Sequence, residues 1–431
     1  MLFRSPGPGK PGDALGNAGS ELVETLVGAI TGADAYAAVR RAVHLEDGIL
    51  KVGNRFLRQD RIREVAFLAA GNAAVPMAEA LERVLGDVVT QGLLISPLPP
   101  GPDFPFQHMT VADPTLPTRE GGGAAHAALE MVSSLGERDL LIPLLSPGAL
   151  GMLSAPPPGM ETTEFRRFLE GVAQGPDPEL HLPEVVAALS PAQGGGLARA
   201  ARGARIEGLL VTRGGPGALL GGGPITLPLP RSVQEVPHLL RRLGLWTDLP
   251  EAVRGRLEGG SPLGGTPPGA PHSVVVAGPG DALEEAGAEA AQRDHPPRLV
   301  EVHDTSPPAE AARHLLEAIE TYAAPGRTGS KSGVALFQGL SLGAPEGGES
   351  RTLLGQYLDA VHRGLRHRNV VVAALATAGS VREGLTPAGG LVDGRTPFDP
   401  GNPSQALDLA PGLTDVGIVA VGWVTPRERT R

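Results

Sequence analysis

Short runs rich in Leu, Val and Ala alternate along the chain with longer segments whose apolar residues recur at helical spacing. That alternation predicts α/β architecture with a mainly parallel sheet. Leu22, Leu26, Val27 and Ile30 fall on one face of a helix predicted over 21–39. The run 63–70 reads as a buried strand that breaks at Gly71 and leads into a helix over 73–85. Further strands are predicted over 92–96, 139–145, 207–212, 273–277, 299–302, 333–337, 370–375 and 416–421. Further helices are predicted over 122–135, 163–172, 182–189, 281–292, 308–322 and 353–368. A Gly/Pro-dense stretch with few apolar residues separates two halves. The expected organisation is a disordered leader (1–19), a Rossmann-like N-terminal lobe with a mostly parallel sheet (20–255), a linker (256–271) and a second α/β lobe (272–427).

Composition narrows the function more than the fold. The 431 residues are 41% hydrophobic and 19% charged, enough apolar material for two cores. No unbroken apolar run reaches the roughly 18–20 residues that span a bilayer, and residues 1–19 lack the apolar centre of a secretory signal. The cytoplasm is therefore the expected location, with no membrane partner. A net charge of −10 argues against a nucleic-acid surface, which needs a basic field. With no cysteine in the chain, disulfides, thiolate metal sites and thiol nucleophiles are excluded. Aromatic residues make up 3%, too few for base-stacking platforms.

Several local patterns stop short of a motif. The Gly/Ser loop around Lys331 fails the spacing of a phosphate-binding P-loop. Ala277-Gly-Pro-Gly280 opens a helix after a strand but lacks the third glycine of the dinucleotide fingerprint. His295 and His303 flank a predicted strand and His362 and His367 are five apart, so neither pair has the i, i+4 spacing of a helical zinc site. Ser146 follows a strand, yet no Gly-x-Ser-x-Gly elbow surrounds it.

The loops after the strands carry a larger pattern. Ala69-Ala-Gly-Asn-Ala73 precedes a helix that begins near Met77-Ala78; Pro114-Thr-Leu-Pro-Thr118 follows; Asp139-Leu140 and Leu144-Leu145-Ser146 lead into Pro147-Gly148-Ala149-Leu150. Next come Leu189-Ser190-Pro-Ala-Gln193-Gly194-Gly195-Gly196-Leu197-Ala198 and then Thr212-Arg-Gly-Gly-Pro-Gly217. Toward the C-terminus stand Leu353-Leu354-Gly355-Gln356-Tyr357-Leu358, Thr377-Ala378-Gly379, Glu383-Gly384, Gly389-Gly390, Asp393-Gly394 and Leu409-Ala-Pro411-Gly-Leu-Thr414-Asp415-Val416. In order and spacing, over about 21–425, these segments resemble the glycerate 2-kinase family, whose C-terminal part is the MOFRL domain.

The resemblance implies ATP-dependent phosphorylation of D-glycerate to 2-phosphoglycerate, with ATP and Mg²⁺ as the family's cofactors and a homodimer as its assembly. It also marks losses. Asn72 stands where the family has a catalytic Lys, and Leu354 where it has an Arg; Arg351 is the candidate substitute. Gln193 replaces a second Lys, and Arg213 takes the place of an Asp. A His-Pro-x-Pro-Asp loop, matched by Pro114–Thr118, has lost its His and Asp, and the acids that would hold Mg²⁺ are missing. Gly71, Ser146, Gly148, Gly194, Gly195, Gln356, Glu383, Thr414 and Asp415 remain as candidate ligand-binding positions, for a small carboxylate or a nucleotide, and no cofactor is expected to be retained. Phosphoryl transfer rests on placed positive charge, so the expectation is an inactive or impaired kinase homologue. The alternatives are a kinase with a rebuilt site that uses Arg351, Arg213, Glu383, Asp393 and Asp415, and an oxidoreductase of the hydroxypyruvate reductase type.

Overall fold

The computed structural model describes residues 3–4, 17–175, 178–214, 235–259, 271–323, 333–340, 350–366, 369–377, 388–393, 399, 405–409 and 413–424. In chain order the elements begin with β1 (Phe3–Arg4), α1 (Asn17–Gly32) and α2 (Ala35–Ala42), followed by a meander of β2 (Val43–Glu46), β3 (Ile49–Val52) and β4 (Arg55–Arg58). Next are β5 (Val65–Ala70), α3 (Ala74–Leu85), β6 (Val89–Ser96), β7 (Gln107–Thr110), α4 (Arg119–Ser133), β8 (Leu140–Leu145) and α5 (Ala149–Met152). Helices α6 (Thr162–Ala173), α7 (Pro178–Leu189) and α8 (Gly196–Ala200) precede β9 (Arg205–Val211), α9 (Glu235–Arg242), α10 (Glu251–Glu258) and β10 (His272–Ala277). The remainder is α11 (Pro279–Gln292), β11 (Pro297–Asp304), α12 (Pro308–Ala323), β12 (Val334–Leu340), α13 (Ser350–Gly364), β13 (Val370–Ala376), β14 (Gly389–Asp393), β15 (Ala406–Leu409) and β16 (Ile418–Val424).

Strands β5 and β8 are wholly apolar and buried on both faces, and β9 is buried beyond Arg205, as central strands of a helix-covered parallel sheet must be. They form the first sheet, all parallel, in the order β10-β9-β8-β5-β6-β7. The chain runs from β5 outward through β6 and β7, then returns to β8 and runs the other way. The strand order therefore reverses between β5 and β8, and the loops leaving these two strands diverge there.

The second sheet has the order β1-β15-β14-β13-β16-β12-β11. Among the described residues, β11 and β12 pair in parallel and the other pairings of this sheet are antiparallel. The parallel arrangement expected from the alternating pattern thus holds for the first sheet and not for the second. Trp423 and Tyr357 are the largest side chains buried in this half. One continuous apolar cluster joins α1, α2 and α3 to inward-facing residues of both sheets, so the two lobes share a core.

Four features depart from the expected layout. The helix expected over 21–39 is two helices, because Asp34 caps the second by accepting from the Ala37 N–H at 2.7 Å. Strand β10, expected to open the second lobe, instead closes an edge of the first sheet. Helix α1, expected in the first lobe, packs on α11 of the second; a Cβ at Gly32 would lie 2.5 Å from the Asp281 carbonyl oxygen. The meander β2–β4, absent from the expected elements, turns at Asp47-Gly48 with φ of 50° and 73°, the geometry of a tight hairpin turn. Within the stretch read as a leader, Phe3 and Arg4 pair with Leu409 and Asp408.

By length and mean hydropathy alone, 19–42 is apolar enough to cross a membrane, but 56% of its most apolar window is buried inside the protein, as a core helix would be.

Candidate functional site

At the reversal point the two diverging loops touch backbone to backbone. Gly71 follows β5 with φ of 119°, and a Cβ there would stand 2.3 Å from both the carbonyl oxygen and the Oγ of Ser146. Only glycine admits this approach. The contact is stitched by three hydrogen bonds: Ser146 N–H to Ala70 C=O (3.0 Å), Asn72 N–H to Pro147 C=O (2.8 Å) and Ala73 N–H to Ser146 Oγ (3.0 Å). Ser146 thus serves the backbone, which accounts for a hydroxyl with no nucleophile elbow around it. Gly148 continues the wall with φ of 94°, and its Cβ would lie 3.0 Å from Asn72 Oδ1.

The Asn72 side chain reaches the other lobe, where its Nδ2 donates to Asp415 Oδ2 at 2.8 Å. Arg213, two residues beyond β9, meets the same carboxylate as a fork: Nε donates to Oδ1 and Nη2 to Oδ2, each at 2.8 Å. Asp415 is 1% exposed and Arg213 33% exposed at the side chain. Three donors on the first lobe therefore converge on one buried carboxylate of the second.

The Asp415 loop is fixed from below by Thr377 at the end of β13. Its Oγ1 donates to Gly417 C=O at 2.8 Å and accepts from the Val416 N–H at 2.9 Å, while its own N–H donates to Gly417 C=O. Thr414 is fully buried, and its hydroxyl has no partner among the described residues. On the far side of Arg213, His303 lies against Gly214, whose Cβ would be 2.9 Å from His303 Nδ1. Burial pushes the His303 imidazole below its ordinary pKa, against a hydrogen bond to the Arg213 backbone that acts the other way. His303, read from sequence as a bystander, stands beside the site.

The expected site residues therefore separate into groups. Gly71, Asn72, Ser146, Gly148, Thr414 and Asp415 come together although 343 positions separate Asn72 from Asp415. Arg213 completes the cluster; sequence reading named it only as an alternative cation, because the pairing that defines it joins residues about two hundred positions apart. The available signal was the exchange of an Asp for Arg at 213.

Among the other positions, Gln193, Gly194, Gly195 and Leu354 have contacts that hold the fold. Gln193, at a family Lys position, is fully buried and donates to the Leu150 and Leu153 carbonyls at 3.1 and 3.0 Å, tying down the end of α5. Gly194 has φ of 56°, and its Cβ would lie 2.2 Å from the Ala187 carbonyl oxygen; Gly195 caps α8 with φ of 87°. Gly194→Ala is expected to cost at least about 2 kcal/mol in denaturant unfolding, from left-handed strain plus a backbone clash. Leu354 is 3% exposed among Tyr357, Leu358 and Ile418, in a purely apolar cluster, while Gln356 on the same helix is exposed. Arg351 lies on α13; Glu383 lies outside the described residues.

Among the described residues the cluster balances to zero: one guanidinium, one carboxylate, one amide. This donor set does not suit a magnesium nucleotide. Mg²⁺ binds through carboxylates with coordination positions to spare, whereas both oxygens of Asp415 are engaged by Arg213 and Asn72. No group of three or more His, Asp or Glu side chains among the described residues could hold a metal ion.

Comparison with known proteins agrees with this geometry at the level of the fold. A family model described as a domain of unknown function (DUF4147) matches residues 21–258, more than half of the chain. The glycerate kinase of Bos taurus is 30% identical over 262 residues, covering 56% of this chain and 48% of that protein. A glycerate 2-kinase of Pyrococcus horikoshii is 26% identical over 243 residues, covering 56% of this chain and 54% of its own length. The chain thus spans about half the length of the curated relatives it matches. The crystal structure of a glycerate kinase from Thermotoga maritima superposes with a TM-score of 0.73 at 19% identity, over 94% of this chain and 99% of that one. The chain belongs to the DUF4147 family, and its relatives include glycerate kinases and a putative hydroxypyruvate reductase of Agrobacterium vitis, 28% identical over 58% of this chain and 56% of that protein.

Proposed function

We propose that this protein is a glycerate-kinase-like ligand-binding protein with impaired or absent phosphoryl transfer. The observation that carries the reading is the neutral triangle at the lobe junction: Asn72 where the resemblance places a lysine, and the nearby guanidinium of Arg213 tied through both forks to Asp415. A transferring phosphoryl group gathers negative charge that fixed cations must meet. Removing one preorganised donor from such a site costs about 2.7–4 kcal/mol, or roughly a hundred- to a thousandfold in rate. What such a cleft retains is a polar seat for a small carboxylate or a nucleotide, suited to binding or regulation.

ADP release from Mg-ATP and D-glycerate tests the reading. The expected result is no turnover in the usual enzyme range of about 1–1,000 per second. Turnover in that range would overturn it and point to a kinase rebuilt around Arg213. The informative variant is Asn72→Lys combined with Asp415→Asn. Lysine alone would pair with Asp415, and an arginine at 354 would be buried among Tyr357, Leu358 and Ile418. The double variant is expected to release ADP faster than the wild type.

A further inference from the structure

We propose that Asp415 is an internal ligand: its carboxylate fills the seat that Arg213 and Asn72 offer to a small carboxylate or phosphate, so that binding of such an anion is self-inhibited. The inference rests on the reading of the lobe junction as a ligand site. Its first support is geometric. A guanidinium that presents Nε and one terminal nitrogen to the two oxygens of a single acid is the bidentate mode by which arginine holds free carboxylates and phosphates. Asn72 supplies a third donor at 2.8 Å. The three donors thus form a complete anion seat belonging to the first lobe, and the anion in it belongs to the second.

The second support is placement. Asn72 and Arg213 follow β5 and β9 at the carboxyl ends of a parallel sheet, the former where the strand order reverses, which is where open α/β sheets receive ligands. Gly71 and Gly148 let the two loops close on each other there, which fixes the position of Asn72.

The energetic consequence follows from connectivity. An anion attached to the same chain competes at an effective concentration in the millimolar range or above. External anions well below that concentration do not displace it.

Isothermal titration of the wild type and of Asp415→Ala with inorganic phosphate, and separately with D-glycerate, tests the proposal. Asp415→Ala is expected to bind at least one of them with a Kd at least tenfold lower than the wild type, and Arg213→Gln in that background is expected to abolish the gain. Equal affinities in wild type and variant, or a gain that survives Arg213→Gln, would overturn it. Whichever probe binds identifies the class, oxyanion or hydroxy acid. Asp415→Asn, which preserves shape, serves if the alanine variant does not fold: phosphate at 10 mM should then raise its melting temperature more than that of the wild type, and an equal rise would overturn the proposal. These are binding measurements, so a kinetically competent wild type would refute the impaired-kinase reading while leaving this result to stand or fall separately.

Discussion

Arg63→Ala is expected to lower the urea midpoint of unfolding at neutral pH, and by more than Asp139→Ala at the other end of the same ion pair. The asymmetry comes from burial. The Asp139 side chain is fully buried, whereas that of Arg63 is 52% exposed. Removing the arginine leaves a buried carboxylate supported by backbone hydrogen bonds from Gly136, at 2.8 Å, and Glu64. Removing the aspartate leaves an arginine that turns to solvent. The pair also sits where three strands of the first sheet begin: Arg63 N–H donates to Arg138 C=O, Leu140 N–H to Glu64 C=O and Arg205 N–H to Asp139 C=O. Loss of the pair therefore loosens the starts of β5, β8 and β9 together.

The pH dependence has a definite sign. The Arg63 guanidinium holds the Asp139 carboxyl below its ordinary range against the opposing effect of burial. A carboxylate depressed in the folded state contributes stability that is fully present above its unfolded pKa of about 3.9 and is lost as pH falls through the folded value. The deficit of Arg63→Ala should accordingly be constant from neutral pH down to about 5 and shrink below about 4. Urea titrations of both variants across that range check it. Equal deficits for Arg63→Ala and Asp139→Ala, or a deficit that grows on acidification, would contradict the account.

The second large effect is expected at Trp423. This residue lies in β16, near the middle of the second sheet, opposite Ala335 on one side and Val371 on the other. It is 1% exposed, and its ring meets His295 edge to face at 4.0 Å between centroids. Trp423→Ala should cost about 3–5 kcal/mol through lost burial and the cavity left behind. Its indole N–H, however, has no hydrogen-bond partner among the described residues. A buried donor without an acceptor is itself a penalty of about 1–3 kcal/mol. Trp423→Phe removes that penalty while leaving a smaller void, and should fall within about 1.5 kcal/mol of the wild type. Far-UV circular dichroism during denaturant unfolding separates the cases; a phenylalanine variant as unstable as the alanine one would show that the N–H is satisfied after all.

The legible parts of this protein were those in which one residue's environment is set by its near neighbours. Continuous apolar runs such as Val65–Ala70 and Leu140–Leu145 identified central parallel strands, since both faces of such strands are covered. The meander β2–β4 is hard to read because its strands are four residues long and the exposed apolar Ile49 and Phe56 blur the alternation, although Asp47-Gly48 is a hairpin signal. Strand β10 was assigned to the wrong sheet because a Gly/Pro-rich stretch before it looks like a domain border, and pairing partners leave no local trace. The site was half legible. The family pattern located Gly71, Asn72, Ser146, Gly148 and Asp415, but no local rule shows that Asp415 and Arg213 neutralise one another across the lobes. Leu354 and Gln193 show the reverse case: positions singled out for lost chemistry that the fold uses for packing and for tying a helix end.

The exchange of elements between the lobes also bears on how the chain comes off the ribosome. Helix α1 is made early, yet α11, against which it packs, follows about 250 residues later, tens of seconds at roughly 5–20 residues per second. Through that interval Leu22, Leu26 and Ile30 wait without part of the surface that finally covers them. The first sheet likewise stays open at one edge until β10 has been translated. Neither lobe is a self-contained unit of synthesis: each closes only with a segment contributed from the other side of the border, and a chain cut between residues 259 and 271 would yield two incomplete fragments rather than two domains.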